Sequence, residues 1–135
     1  GGNFLLNVGP DADGALPDTA LLRMKEIGKW LKTNGDAIYN TRPAYPYIEG
    51  KWRFTQSKDE RKTYAIYLLD EGEDTPEVLT IPTYGKTFNT VKLLGKGSAE
   101  LRLEDDKYQI YIKGKDGKDP IVHALAIELS YIEKK

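Results

Sequence analysis

Cysteine is absent from the sequence and histidine occurs once. No apolar run approaches the ~20 residues that a membrane-crossing helix needs. The first absence removes disulfide frameworks, thiol nucleophiles and thiolate metal sites together. The single histidine, His123, shares its expected strand face with Leu125, Ile127 and Leu129, a packing position. Alone it supports neither a zinc site of ordinary composition nor a serine triad, so no metal or other cofactor is expected. Charge of one sign is missing as well: 20 basic residues stand against 21 acidic ones, net -1, without clustering. Nucleic acid and anionic membranes both call for a clustered positive field, so neither is an expected partner. No charged-then-apolar leader opens the chain, and the compartment stays open.

What is present fits one domain, or a small domain joined to a fragment of another: 135 residues, 39% apolar and 30% charged. The chain starts "GGNFLLNVGPDADG", as though joined partway through a larger protein. Phe4 to Val8 reads as a strand ending at Gly9-Pro10. Strand parity puts Asn3, Leu5 and Asn7 on one face and Phe4, Leu6 and Val8 on the other. Inward asparagines need hydrogen-bond partners. The pattern suits a strand of a (β/α)₈ barrel, whose carboxyl-terminal strand ends hold the active site; an edge strand with asparagines in water is the alternative.

A turn cluster, Gly9 to Gly14, leads into "LPDTALLRMKEIGKWLKTNG". Pro17 stands at the helix start, Asp18 adds an acid to the first turn, and Leu21, Met24, Ile27 and Leu31 recur at helical spacing with Leu22 and Trp30 widening the stripe. Asn34-Gly35 reads as a left-handed stop. From Asp36 the period changes. Short alternating runs follow at Trp52–Phe54, Thr63–Leu69, Val78–Ile81, Val91–Leu94, Leu101–Leu103, Tyr108–Ile112 and Val122–Tyr131, separated by glycine- and aspartate-rich turns. Such spacing argues a mainly β protein: an antiparallel β-sandwich preceded by one strand and one amphipathic helix. The expected divisions are 1–35 for strand and helix, 36–50 for a proline- and aromatic-rich linker, and 51–135 for the sandwich.

Asp11 and Asp13 form a D-x-D-G stretch, but "GALPDT" lacks the further oxygen ligands of a calcium loop, which leaves a turn. The remaining carboxylates scatter through turns and strand exteriors, and none is selected as a catalytic pair; Glu128 is expected to face solvent. Tyr45, Tyr47, Trp52, Tyr84 and Tyr108 offer a sugar-stacking platform, because aromatic faces pack on the C–H patches of pyranose rings. Core packing of Trp52 with Phe54 is the competing use.

The order glycine-glycine-asparagine, LLN-V-G-P, D-G, I-G-x-W-L and N-G-x-A-I-Y through residues 1–43 resembles the end of the catalytic barrel in α-L-fucosidases, a family of retaining glycoside hydrolases. "RFTQS", "TYAIYLL", "VKLLGKGSAELRLEDD" and "HALAIELS" continue the likeness more loosely. The resemblance implies the last strand and helix of a (β/α)₈ barrel followed by a C-terminal sandwich, in a parent acting on fucosylated glycans through two carboxylates. Neither carboxylate maps onto this chain, which implies an inactive fragment with no catalytic residue of its own. Asn7, Asp11 and Asp13 would then lie at the pocket floor or rim, and the parent's barrel would be the main partner. Left alone, residues 1–34 are expected to fold back on the sandwich or to self-associate. An independent carbohydrate-binding or interaction module, with Tyr45, Tyr47 and Trp52 stacking sugar, is the second reading.

Overall fold

The structure, a computed structural model, describes residues 2–95, 97–114 and 124–131. His123 lies outside the described residues. Helix α1 (Asp18–Asn34) begins directly after Pro17, with Asp18 at its positive end and Lys32 at its negative end. The expected left-handed stop does not form. Gly35 continues at φ -59° into a 3₁₀ turn, Gly35–Ala37, while the Asn34 amide donates to the Trp30 carbonyl at 3.0 Å. A Cβ at position 35 would stand 3.0 Å from the Tyr39 ring, so a larger residue there would push that ring aside.

Eight strands follow: β1 (Thr41–Glu49), β2 (Trp52–Ser57), β3 (Lys62–Leu68), β4 (Val78–Pro82), β5 (Thr90–Leu93), β6 (Ser98–Glu104), β7 (Lys107–Lys113) and β8 (Ala124–Ser130). All pair antiparallel, in a five-stranded sheet ordered β1-β2-β3-β8-β5 and a three-stranded sheet ordered β4-β7-β6. Between the sheets lies the main core, where Phe54, Ala65, Ile127 and Leu129 meet Leu79, Ile81 and Ile110. Where β5 hands over to β6, Gly97 takes φ +106° with the Lys113 carbonyl 2.9 Å from the site of a Cβ, so the turn admits no side chain.

A second, smaller core sits on the outer face of the larger sheet. Ala37, Tyr64, Ile66, Leu94 and Ala126 are buried there, with Trp30 packed against them. The Trp30 indole donates 2.8 Å to the Ala124 carbonyl across 94 residues of sequence, and the Thr55 hydroxyl donates 2.6 Å to the Ala37 carbonyl. This foot of α1 covers β8 from outside, so Leu125 through Leu129 are all buried. Glu128 therefore does not face open solvent, as its strand parity suggested. It is 9% exposed and paired with Lys62 at 3.1 Å.

Two further expectations change. Residues 2–16 form no strand, because no strand among the described residues pairs with their backbone; Phe4 and Leu5 stay 86% and 91% exposed. In place of a linker over 36–50, residues 41–49 pair with β2 as the edge of the larger sheet. The pairing survives Pro43 and Pro46 because an edge strand needs only one side of its hydrogen bonds, and because four residues, 44–47, bulge opposite Phe54. Nor does the segment before Asn34 fold back along its length, since only its foot docks.

The foot is a single latch, and its loss has a local signature. Trp30→Ala removes the indole hydrogen bond and part of the outer core, which costs about 2 kcal/mol for a half-buried tryptophan. Hydrogen exchange should show residues 21–33 losing protection while β3 and β8 keep theirs. Equal protection across α1 in the variant would mean that the helix is held by something else.

Candidate functional site

Among the described residues, every exposed large apolar side chain except Leu68, Val78 and Leu103 lies before residue 50. The sandwich hides its apolar residues; the first third of the chain does not. On α1 the stripe Leu21, Met24 and Ile27 is 44–46% exposed, and Leu22 stands beside it at 54%. Apart from half-buried Ala20 and Glu26, the same helix turns inward at Trp30, Leu31 and Asn34. Periodicity marks the stripe as a face for burial, and none of the described residues covers it.

At the far end of α1, Asn7, Asp11 and Asp13 are all exposed. An Asp11 carboxylate oxygen accepts from the amides of Asp13 at 3.0 Å and Ala15 at 2.8 Å, and the Asp11 amide donates 2.8 Å to the Ala15 carbonyl. Asp11 thus closes a tight loop around Gly14 (φ +81°), the turn chemistry expected for aspartate. Seventeen helical residues at about 1.5 Å each put ~25 Å between the start of α1, beside this loop, and its foot at Asn34. The loop and the sandwich therefore belong to opposite ends of whatever α1 packs against. No group of three or more His, Asp or Glu side chains is placed to hold a metal ion among the described residues.

The aromatic candidates separate. Trp52 is 5% exposed, stacked with Phe54 at 6.1 Å, and donates to the Thr80 carbonyl at 3.1 Å. That makes it core and removes it from any sugar platform. Tyr108 is also buried, accepting from the Phe88 amide at 2.8 Å. Tyr84 packs edge-on against Phe54 at 5.7 Å. Tyr45 and Tyr47 are exposed, but their rings meet at 81° with centroids 6.1 Å apart, which makes a corner and not a flat platform.

Sequence reasoning missed a polar cleft at the foot of α1, lined by Asp36, Tyr39, Asn40, Ser57, Asp59, Lys62 and Tyr64. Its signal was the Ser57–Lys62 hairpin, where the Ser57 hydroxyl donates 2.5 Å to Asp59 and accepts 3.0 Å from the Lys62 amide. The Ser57 hydroxyl, with the Arg61 amide, holds the Asp59 carboxyl below its ordinary pKa. Burial raises the Tyr64 phenol, and the Glu128 carboxylate, by accepting the Lys62 hydrogen bond, raises the Lys62 ammonium. Ser57, Asp59 and Lys62 are thus each satisfied by a neighbour. The Lys62–Glu128 pair ties β3 to β8.

The Alpha-L-fucosidase family model matches residues 1–36. The α-L-fucosidase of Branchiostoma floridae is 38% identical over 99 residues, 70% of this chain and 21% of that protein. Human plasma α-L-fucosidase is 34% identical over 110 residues, covering 72% and 21%. The chain therefore spans about a fifth of the length of the curated relatives it matches. Among solved structures, α-L-fucosidase isoenzyme 1 from Paenibacillus thiaminolyticus superposes with a TM-score of 0.74 at 27% identity, over 95% of this chain and 30% of its own. The Thermotoga maritima α-fucosidase, in complex with a mechanism-based inhibitor, gives 0.72 at 27% identity over 96% and 30%.

The Lys62–Glu128 pair carries its own pH signature. Its pKa being raised, Lys62 contributes stability in full below its ordinary 10.5 and loses it as pH rises through the higher folded value. Lys62→Met strands Glu128 against the outer core. The loss should be about 1 kcal/mol, held down because Lys62 is nearly half exposed. Urea melts at pH 7 and pH 11 check both: the difference between wild type and variant should narrow at the higher pH, and a constant difference would show that methionine perturbs packing instead.

Proposed function

We propose, from the premise that this chain is a partial C-terminal region of an α-L-fucosidase, that the longer enzyme removes terminal α-L-fucosyl residues from glycans with retention. Residues 1–35 supply the last strand and helix of its barrel. The sandwich starts at Thr41 and buttresses the barrel from outside. One observation supports this reading above the others. Within the segment matched by the family model, Phe4, Leu5, Leu6, Leu16, Leu21, Leu22, Met24 and Ile27 stay exposed among the described residues, and only the foot at Trp30 packs on the sandwich.

A retaining mechanism places two carboxyl groups about 5 Å apart across the glycosidic bond. The acids nearest the expected catalytic face, Asp11 and Asp13, sit in a loop in which Asp11 is already committed to backbone amides. They suit a rim, as does Asn7, and the two reacting carboxylates belong to the part of the enzyme that precedes this chain. The 135-residue chain is accordingly inactive. The independent carbohydrate-binding module is less favoured, because Trp52 and Tyr108 are spent on the core.

Hydrolysis of a chromogenic α-L-fucoside should be seen with the longer protein and not with the 135-residue chain. Activity in the short chain would overturn the assignment of the carboxylates to the missing part. Silence from both would overturn the fucosidase reading and leave the binding module. Without its barrel, the stripe Leu21-Met24-Ile27 should also drive self-association, read as a concentration-dependent sedimentation coefficient that Met24→Arg abolishes. A monomer at every concentration would count against an unpartnered stripe.

A further inference from the structure

Apolar exposure does not end where the family match ends. Beyond residue 36, Ile38, Tyr39, Tyr45, Tyr47 and Ile48 are 42%, 59%, 72%, 55% and 61% exposed. They belong to the stretch from Ile38 to Ile48, whose single charged residue is Arg42, in a chain that is 30% charged overall. Tyrosine enrichment with charge depletion is the composition of an interface core, not of a solvated strand.

We infer that this stretch, β1 with the turn before it, is a second half of the seam between the sandwich and the preceding part of the enzyme. The inference rests on the proposed function and extends it past the helix. The stretch follows the helix directly in the chain, joined to it by the buried Gly35–Ala37 turn, whose Ala37 carbonyl accepts from the Thr55 hydroxyl on β2 and so anchors both to the larger sheet. The edge is blunted as a template for another strand. Pro43 and Pro46 carry no amide donor, residues 44–47 leave the ladder, and Tyr47 adopts φ +68°. Strand addition by a second copy is therefore disfavoured. What remains is side-chain packing by a solid apolar wall, and the part of the enzyme that the curated relatives carry and this chain lacks is of the size to provide one. The perpendicular Tyr45 and Tyr47 rings suit such a wall better than the face of one pyranose.

The test is the double variant Tyr45→Arg with Ile48→Arg, placed in the longer enzyme and, separately, in the 135-residue chain. Melting of the longer enzyme should fall by about 4 °C or more. Melting of the short chain should not change, because both side chains are already exposed there. Met24→Arg with Ile27→Arg in the longer enzyme serves as the reference. If the reference pair lowers melting and the β1 pair does not, the seam ends at the helix and this inference fails alone. If neither pair does, the barrel-completing role fails with it. An equal drop in both proteins would make β1 a matter of sandwich stability. Chemical shifts confined to Tyr45 and Tyr47 on titrating the longer enzyme with a neutral pyranoside would overturn the seam in favour of a sugar site.

Discussion

One indole hydrogen bond sets the relation between the two halves of this molecule. Trp30 reaches the Ala124 carbonyl from the last turn but one of α1, and the 3₁₀ turn that follows drops Ala37 onto Tyr64, Ile66 and Ala126. A carbonyl at the first residue of a strand is a fixed acceptor, and a tryptophan has only two side-chain torsions with which to reach it. The direction of α1 relative to the larger sheet follows. In the proposed enzyme, whatever packs along the remainder of α1 inherits that direction from the latch.

The latch shapes the sheet as well. A strand of a two-layer sandwich ordinarily buries alternate residues. Here β8 is buried on both faces, and its outer positions are small, Ala124 and Ala126, where the helix foot and the turn approach closest. Glu128 is the exception, and it is tolerated because Lys62 crosses from β3 to meet it while Ser130 donates a hydroxyl at 3.3 Å. A buried carboxylate with such partners keeps the register of β3 against β8, since a slip of one residue would carry it into the main core.

Local pattern made the helix and seven of the strands legible. Each has an apolar period that its neighbours within the chain can satisfy, and turn residues mark its ends. The failures share a different cause. Residues 4–8 have a strand's sequence, but a strand exists only with a ladder partner. Residues 41–49 have a linker's prolines and tyrosines, yet one free edge on β2 was enough to recruit them. Gly35 reads as a helix stop by composition, while in the structure it continues at φ -59° into a 3₁₀ turn with the Tyr39 ring close by. Glu128 reads as solvated from parity alone, which carries no information on what covers the outside of a sheet. Of the candidate site, Asp11 was legible as a turn residue, and Trp52 was ambiguous until its Thr80 acceptor on β4 was known.

The asparagines at the start of the chain show the same limit most sharply. Asn3 and Asn7 share a face with Leu5, and all three are exposed in this structure. A buried side-chain amide without partners costs on the order of 1–3 kcal/mol, so a sequence that retains two on one strand face does so where water or other polar groups meet them. Phe4, Leu6 and Val8 on the opposite face demand the reverse, an apolar layer. A segment polar on one side and apolar on the other is consistent with neither a solvated tail nor an ordinary core strand. Under the proposed function it is the wall of a barrel, with a wet interior at the end where Asn7 stands and an outside sheathed by helices such as α1. The conflict between this segment's two-sided pattern and its unpaired state here is what the proposed function resolves, by giving each face its own surroundings.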